Sequence, residues 1–207
     1  TSSCGLRDPL RYFRNKGDGQ FQEQTHEAGL TGQWGGLNLI HADYNNDGCP
    51  DVLVLRGGWF VPGFHPNSLL RNDGGGRFTD VTEEVGILSF HPTQTAVWLD
   101  YDNDGWIDLF IGNENTEADL HPCELYRNNG DGTFSECAAA VGTAVLGFVK
   151  GVTAGDIDND GLTDLYISRL GQHNLLLRNE GPEKGSQNDP GAWRFSDVTT
   201  AAGVAEP

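Results

Sequence analysis

The sequence predicts an all-β chain of four-stranded blades of β-propeller type, about three and a half repeats, incomplete or open, with a loop between the first two strands of each blade. Three observations predict it. An acidic nine-residue loop recurs three times, an Asn/Gly hairpin recurs in phase with it, and short apolar runs rich in β-branched and aromatic residues flank both. Four short strands per period is the pattern of a propeller blade, and no long amphipathic helix is predicted.

The loops come first in the argument. They read Asp43-Tyr44-Asn45-Asn46-Asp47-Gly48-Cys49-Pro50-Asp51, Asp100-Tyr101-Asp102-Asn103-Asp104-Gly105-Trp106-Ile107-Asp108 and Asp156-Ile157-Asp158-Asn159-Asp160-Gly161-Leu162-Thr163-Asp164. Side-chain oxygens stand at positions 1, 3, 5 and 9, with Gly at 6. Calcium takes about six to eight oxygen ligands, and a loop with an oxygen at every second residue wraps such an ion from one side. The Gly permits the reversal after position 5. Position 7 is expected to offer its main-chain carbonyl, which leaves the side chains of Cys49, Trp106 and Leu162 free to vary. This is not an EF-hand, because position 12 is Val54, Ile111 or Ile167 where a bidentate Glu is needed. A single Asp/Asn/Gly turn needs no metal. Three in register hold eleven of the 30 acidic residues, and their self-repulsion asks for a cation.

The runs on either side of each loop read as strands. Leu39 to Ala42, Ala96 to Leu99 and Val152 to Gly155 precede the loops; Val52 to Leu55, Leu109 to Gly112 and Leu165 to Ser168 follow them. The loops lie 57 and 56 residues apart, and the second motif keeps step. It is Arg14-Asn15-Lys16-Gly17, Arg71-Asn72-Asp73-Gly74, Arg127-Asn128-Asn129-Gly130 and Arg178-Asn179-Glu180-Gly181, each between an apolar strand and a second strand at or near a Phe. The predicted units are 1–30, the last two strands of a preceding blade; 31–87; 88–143; and 144–207, with a hairpin insertion at 182–192.

These two phased motifs make the chain resemble the FG-GAP/VCBS repeat family, known from the propeller of integrin α-subunits, and most of all its secreted branch similar to cartilage acidic protein and its bacterial relatives. The resemblance covers Leu10 to Val204. It implies a calcium site in each loop, with side-chain ligands Asp43, Asn45, Asp47 and Asp51; Asp100, Asp102, Asp104 and Asp108; and Asp156, Asp158, Asp160 and Asp164. Asn45 departs from the family's Asp and is expected to weaken the first site. Three and a half blades also depart from a closed ring, so the chain is expected either to belong to a longer protein or to pack as an open array.

The formal net charge of −17 excludes nucleic acid as a partner, since no basic footprint exists to displace counterions. No apolar run approaches the roughly 18 residues of a membrane span. No Met is present and no leader is visible at Thr1, which fits a trimmed or mature secreted segment, and loops of this kind suit extracellular calcium at about 10⁻⁴–10⁻³ M. Cys123 and Cys137 lie symmetrically about Gly130 and are expected to face each other as a disulfide, leaving Cys4 and Cys49 as the weaker second pair.

The expected function is a calcium-stabilised extracellular scaffold for adhesion or assembly, without catalysis. Its partners would be proteins or polysaccharides of the matrix or cell surface, or other copies of itself, as in an extracellular fibre. A carbohydrate-binding module is the alternative, resting on Trp59, Phe60 and Phe64 in an insertion. No nucleophile elbow or free carboxylate couple supports an enzyme.

Overall fold

The computed structural model describes residues 8–56, 65–115, 119–184, 186 and 192–205. Strands β1 (Phe13–Gly17) and β2 (Gln20–Glu23) form a two-stranded antiparallel sheet. Three four-stranded sheets follow, each a meander of sequence neighbours. The first holds β3 (Asn38–Ala42), β4 (Asp51–Leu55), β5 (Ser68–Gly74) and β6 (Arg77–Asp80). The second holds β7 (Thr93–Leu99), β8 (Asp108–Asn113), β9 (Glu124–Asn128) and β10 (Phe134–Glu136). The third holds β11 (Val149–Gly155), β12 (Asp164–Arg169), β13 (Leu175–Pro182) and β14 (Trp193–Asp197). One short helix, α1 (Ala138–Val141), closes on Gly142 in the left-handed conformation. The predicted blades are therefore present as four-stranded sheets, and they form no closed ring among the described residues.

The core lies between sheets rather than within any one of them. Leu53, Leu55 and Leu69 of the first sheet pack against Ala96, Leu109, Ile111 and Phe134 of the second. Phe110 and Leu125 of the second pack against Leu165, Ile167, Leu177 and Phe195 of the third. Strand β8 alternates its apolar side chains between these two faces, Leu109 and Ile111 on one and Phe110 on the other, so it is buried along its whole length. Full burial of one such Leu or Phe is worth roughly 1.5–3 kcal/mol. The sheets therefore hold one another in place, because β8 of the middle one is covered on both faces.

The R-N-x-G hairpins carry a register shift after the Asn, at Asn15/Gly17, Asn72/Gly74 and Asn179/Pro182. The Asn side chain accepts the N–H two residues on, as from Gly74 to Asn72 Oδ1 at 3.1 Å and from Gly130 to Asn128 Oδ1 at 3.0 Å. Gly130 sits at φ 75, where a Cβ is disfavoured.

That hairpin corrects the predicted disulfide. Phe134 pairs with Asn128 and Glu136 with Tyr126, so the turn is centred on Asp131 and not on Gly130. Cys137 consequently lies opposite Leu125, donating its N–H to Leu125 O at 2.8 Å, and Cys123 is out of register with it. Both are free thiols, pushed up to about 11 by burial, and the Asn113 N–H is turned toward the Cys123 sulfur. Cys49 is free as well, while Cys4 lies outside the described residues. So do Trp59, Phe60 and Phe64, and most of the insertion at 182–192.

Candidate metal centre

Each acidic loop leaves the first strand of its sheet and enters the second at position 9: Ala42 pairs with Asp51, Leu99 with Asp108 and Gly155 with Asp164. Two residues per loop are left-handed. One is the predicted Gly, at φ 85, 86 and 85 for Gly48, Gly105 and Gly161. The other is the Asn at position 4, at φ 57, 52 and 62 for Asn46, Asn103 and Asn159. A short amide tolerates that region better than other side chains. Its recurrence at position 4 of all three loops is a signal visible in the sequence.

The carboxylates organise the turn through main-chain hydrogen bonds. Asp100 accepts the N–H of Asp104 at 3.1 Å and of Gly105 at 3.0 Å, and Asp43 and Asp156 do the same in their own loops. Position 5 accepts from position 7, at 2.8 Å from Cys49 to Asp47, 2.9 Å from Trp106 to Asp104 and 2.8 Å from Leu162 to Asp160. Position 9 holds both neighbouring segments. Asp108 accepts from Tyr101 N–H at 3.0 Å with one oxygen and from Asn128 N–H at 2.8 Å with the other, and Asp51 and Asp164 repeat this with Tyr44 and Asn72, and with Ile157 and Asn179. Each carboxylate oxygen keeps a second lone pair, so these bonds leave room for a cation.

Two acidic clusters result. Ligand oxygens of Asp100, Asp102 and Asp108 all lie within 4.8 Å of one another, as do those of Asp156, Asp158 and Asp164. The first loop differs from the other two. The first loop has the same backbone, but Asn45 replaces a carboxylate and donates its amide to Asp47 Oδ2 at 2.9 Å, so no acidic trio gathers there. At position 7, Trp106 and Leu162 pack over the hairpin glycines Gly130 and Gly181 of their own sheets. Their side chains are thus covers for the hairpin, a role that variability at this position concealed.

The middle loop shows electrostatic stress that a cation would relieve. Burial pushes Asp108 up to about 8 and also raises Asp102 and Asp100; it pushes Asp51 of the first loop up to about 6. Asp102 Oδ1 is buried with no hydrogen-bond partner. Its other oxygen takes Arg127 Nε at 2.6 Å, while Arg127 Nη2 reaches Asp104 Oδ2 at 2.6 Å. The equivalent Arg71 and Arg178 turn instead to Asp73 and Glu180, two residues on; in the second sheet that position is Asn129, which carries no charge to hold the guanidinium. An orphaned carboxylate oxygen beside raised carboxyls fits a divalent ion.

Comparison with known proteins supplies the remaining finding. Residues 3–54, 59–111 and 100–167 match the model of the FG-GAP-like repeat. The chain is similar to cartilage acidic protein 1 of Homo sapiens, at 29% identity over 165 residues, 77% of this chain and 24% of that protein. It is 30% identical over 166 residues to the protein of that name from Xenopus tropicalis, and 28% over 165 residues to that from Mus musculus. It spans about a quarter of the length of these relatives.

Proposed function

The chain belongs to the FG-GAP-like repeat family, and on that premise we propose that it is a calcium-binding, extracellular repeat scaffold for adhesion or assembly, with no catalytic step of its own. The observation that carries the reading is the pair of acidic clusters, with the partnerless buried Asp102 Oδ1 inside one of them. Asp100, Asp102, Asp104 and Asp108 would hold one ion, with the Trp106 carbonyl; Asp156, Asp158, Asp160 and Asp164 a second, with the Leu162 carbonyl. Asp43, Asn45, Asp47, Asp51 and the Cys49 carbonyl make a third, weaker site. The ion supplies positive charge that lets the carboxylates crowd without protonation.

The relatives' name describes them as acidic and ties them to cartilage. The −17 charge of this chain is in keeping with that, and it favours matrix or cell-surface proteins and polysaccharides over nucleic acid as partners. No helix among the described residues is long and apolar enough to cross a membrane.

Calcium that binds only the folded chain stabilises it by mass action. With free ion about tenfold above Kd, each site contributes ~1.4 kcal/mol, and two sites shift the midpoint of a chain this long by roughly 5–10 °C. Calorimetric melting of the 207-residue chain in about 2 mM calcium, and then in excess chelator, measures this. An unchanged midpoint would sink the calcium reading.

A further inference from the structure

The hairpin Asn makes one polar staple at each joint between consecutive four-stranded sheets. Asn128 donates Nδ2 to Ile107 O of its own loop at 3.2 Å and to Tyr44 O of the preceding loop at 2.8 Å. Asn179 does the same with Thr163 O at 3.3 Å and with Tyr101 O of the preceding loop at 2.8 Å. Both residues are fully buried. Asn72 bonds to Asp51 and Pro50 of its own sheet, so the staples link the loops as first to second and second to third.

Each staple also ends on candidate ligands. The Asn179 N–H is held by Asp164 Oδ1 at 2.8 Å, at position 9 of the third loop. The Tyr101 carbonyl that takes the Asn179 side chain lies between Asp100 and Asp102, and the Tyr101 N–H is held by Asp108 Oδ2 at 3.0 Å, at position 9 of the middle loop. A run of contacts therefore leads from Asp164 through Asn179 and Tyr101 to Asp108. Tyr101 is fully buried, with its ring against Trp193 and Phe195 of the third sheet, so water does not compete for this run.

A second link joins the middle and third loops alone. Asn103, at position 4 between Asp102 and Asp104, donates Nδ2 to Gly161 O at 3.0 Å. The N–H of the same peptide, on Leu162, is held by Asp160 Oδ1 at 2.8 Å, so this link too ends on a candidate ligand. Among the described residues Asn46, the counterpart of Asn103, makes no such bond to the middle loop. The doubly linked loops are also the two that gather an acidic trio.

We infer that the middle and third loops bind calcium cooperatively, each raising the affinity of the other because Asn103 and Asn179 tie their ligand residues together. The inference rests on the calcium reading and adds a coupling to it. Holding the carboxylates of one loop in place fixes one end of both links, so less ordering is left for the other loop to undergo. The effect is reciprocal by linkage, so either loop can be the one disabled in a test. Charge acts against it, since each ion removes negative charge that attracts the other; added salt screens that opposition and spares the buried staple. The first loop is singly linked and has Asn45 in place of a carboxylate, so it is expected to load apart from the pair.

The test reads the middle loop by itself. Trp106 is the one indole within the three loops, so terbium, which takes the same oxygen ligands as calcium, luminesces through it when the middle loop is filled. Calcium affinity there follows from displacement of the terbium. Asp158→Asn disables the third loop by removing one carboxylate, the change that Asn45 already represents in the first. It is expected to weaken calcium at the middle loop by about fivefold or more. In Asn103→Gly, which suits the left-handed backbone of φ 52 and lacks the amide, the same change is expected to cost only about twofold. The charge lost at Asp158 also acts through space, but that part persists without Asn103, so the difference between the two backgrounds is the coupling. Titrations in about 0.5 M potassium chloride, where the screening length is about 4 Å, reduce it further. All chains are first matched for melting midpoint in chelator. A middle loop that Asp158→Asn leaves unchanged or tightens overturns the coupling while the calcium reading stands. Equal weakening with and without Asn103 overturns it as well. A parent chain that binds no calcium, with a melting midpoint indifferent to the ion, overturns the calcium reading and the coupling together.

Discussion

Arg127 illustrates how one neighbour redirects a charge. Its counterparts Arg71 and Arg178 are held by Asp73 and Glu180, whereas Asn129 releases Arg127 to Asp102 and Asp104 in the middle loop. A guanidinium already paired with two ligand carboxylates opposes an incoming cation. Charges a few ångströms apart near a surface interact by about 1–4 kcal/mol, which solvent and rearrangement reduce. Arg127→Gln is therefore expected to tighten calcium at this loop by about five- to tenfold. Isothermal titration would resolve it, and weaker binding would show that Arg127 orders the carboxylates more than it competes. The acidic positions were legible residue by residue, because ligand oxygens recur at fixed spacing. The diversion of Arg127 was not, because it depends on a single amide two residues along.

Among the elements, the hairpins do more than turn the chain. Sequence marks R-N-x-G as a hairpin turn, and the structure adds that it is bulged and that its Asn joins consecutive sheets. Asn128→Ala would strip partners from the buried Tyr44 carbonyl, the part-buried Ile107 carbonyl and the Gly130 N–H. An expected cost of roughly 2–4 kcal/mol follows from leaving such groups unpaired. Asn72→Ala, at a half-buried site where water replaces the lost bonds, is expected to cost under about 1 kcal/mol. Urea denaturation of the two variants compares them, and equal losses would refute the staple. Hairpin register departs from the symmetric expectation: symmetry about Gly130 predicts facing cysteines, but the pairing of Phe134 with Asn128 centres the turn on Asp131.

For the whole molecule, the buried loop acids couple stability to pH. Asp108 at about 8 and Asp51 at about 6 lie above the ~3.9 of an unfolded Asp. The folded chain thus keeps protons that the unfolded chain has released, so in chelator stability should fall as pH rises from about 4 to about 8. Calcium needs the ionised carboxylates, so it should flatten that slope and release protons on binding near neutral pH. Melting midpoints across this range with and without calcium check both signs; a flat profile in chelator would show that the acids ionise freely in the folded chain. By itself the sequence determined what is periodic: the all-β class, the four-strand unit, the acidic positions and the family resemblance. These were legible because each depends on residues within one short loop or hairpin, repeated often enough to separate signal from accident. Tertiary structure alone decided the joints, the free thiols and the two acidic clusters. Asn128 reaches back 84 residues to Tyr44 and Asn179 reaches back 78 to Tyr101, and contacts across such distances leave no local mark on the side chains that make them.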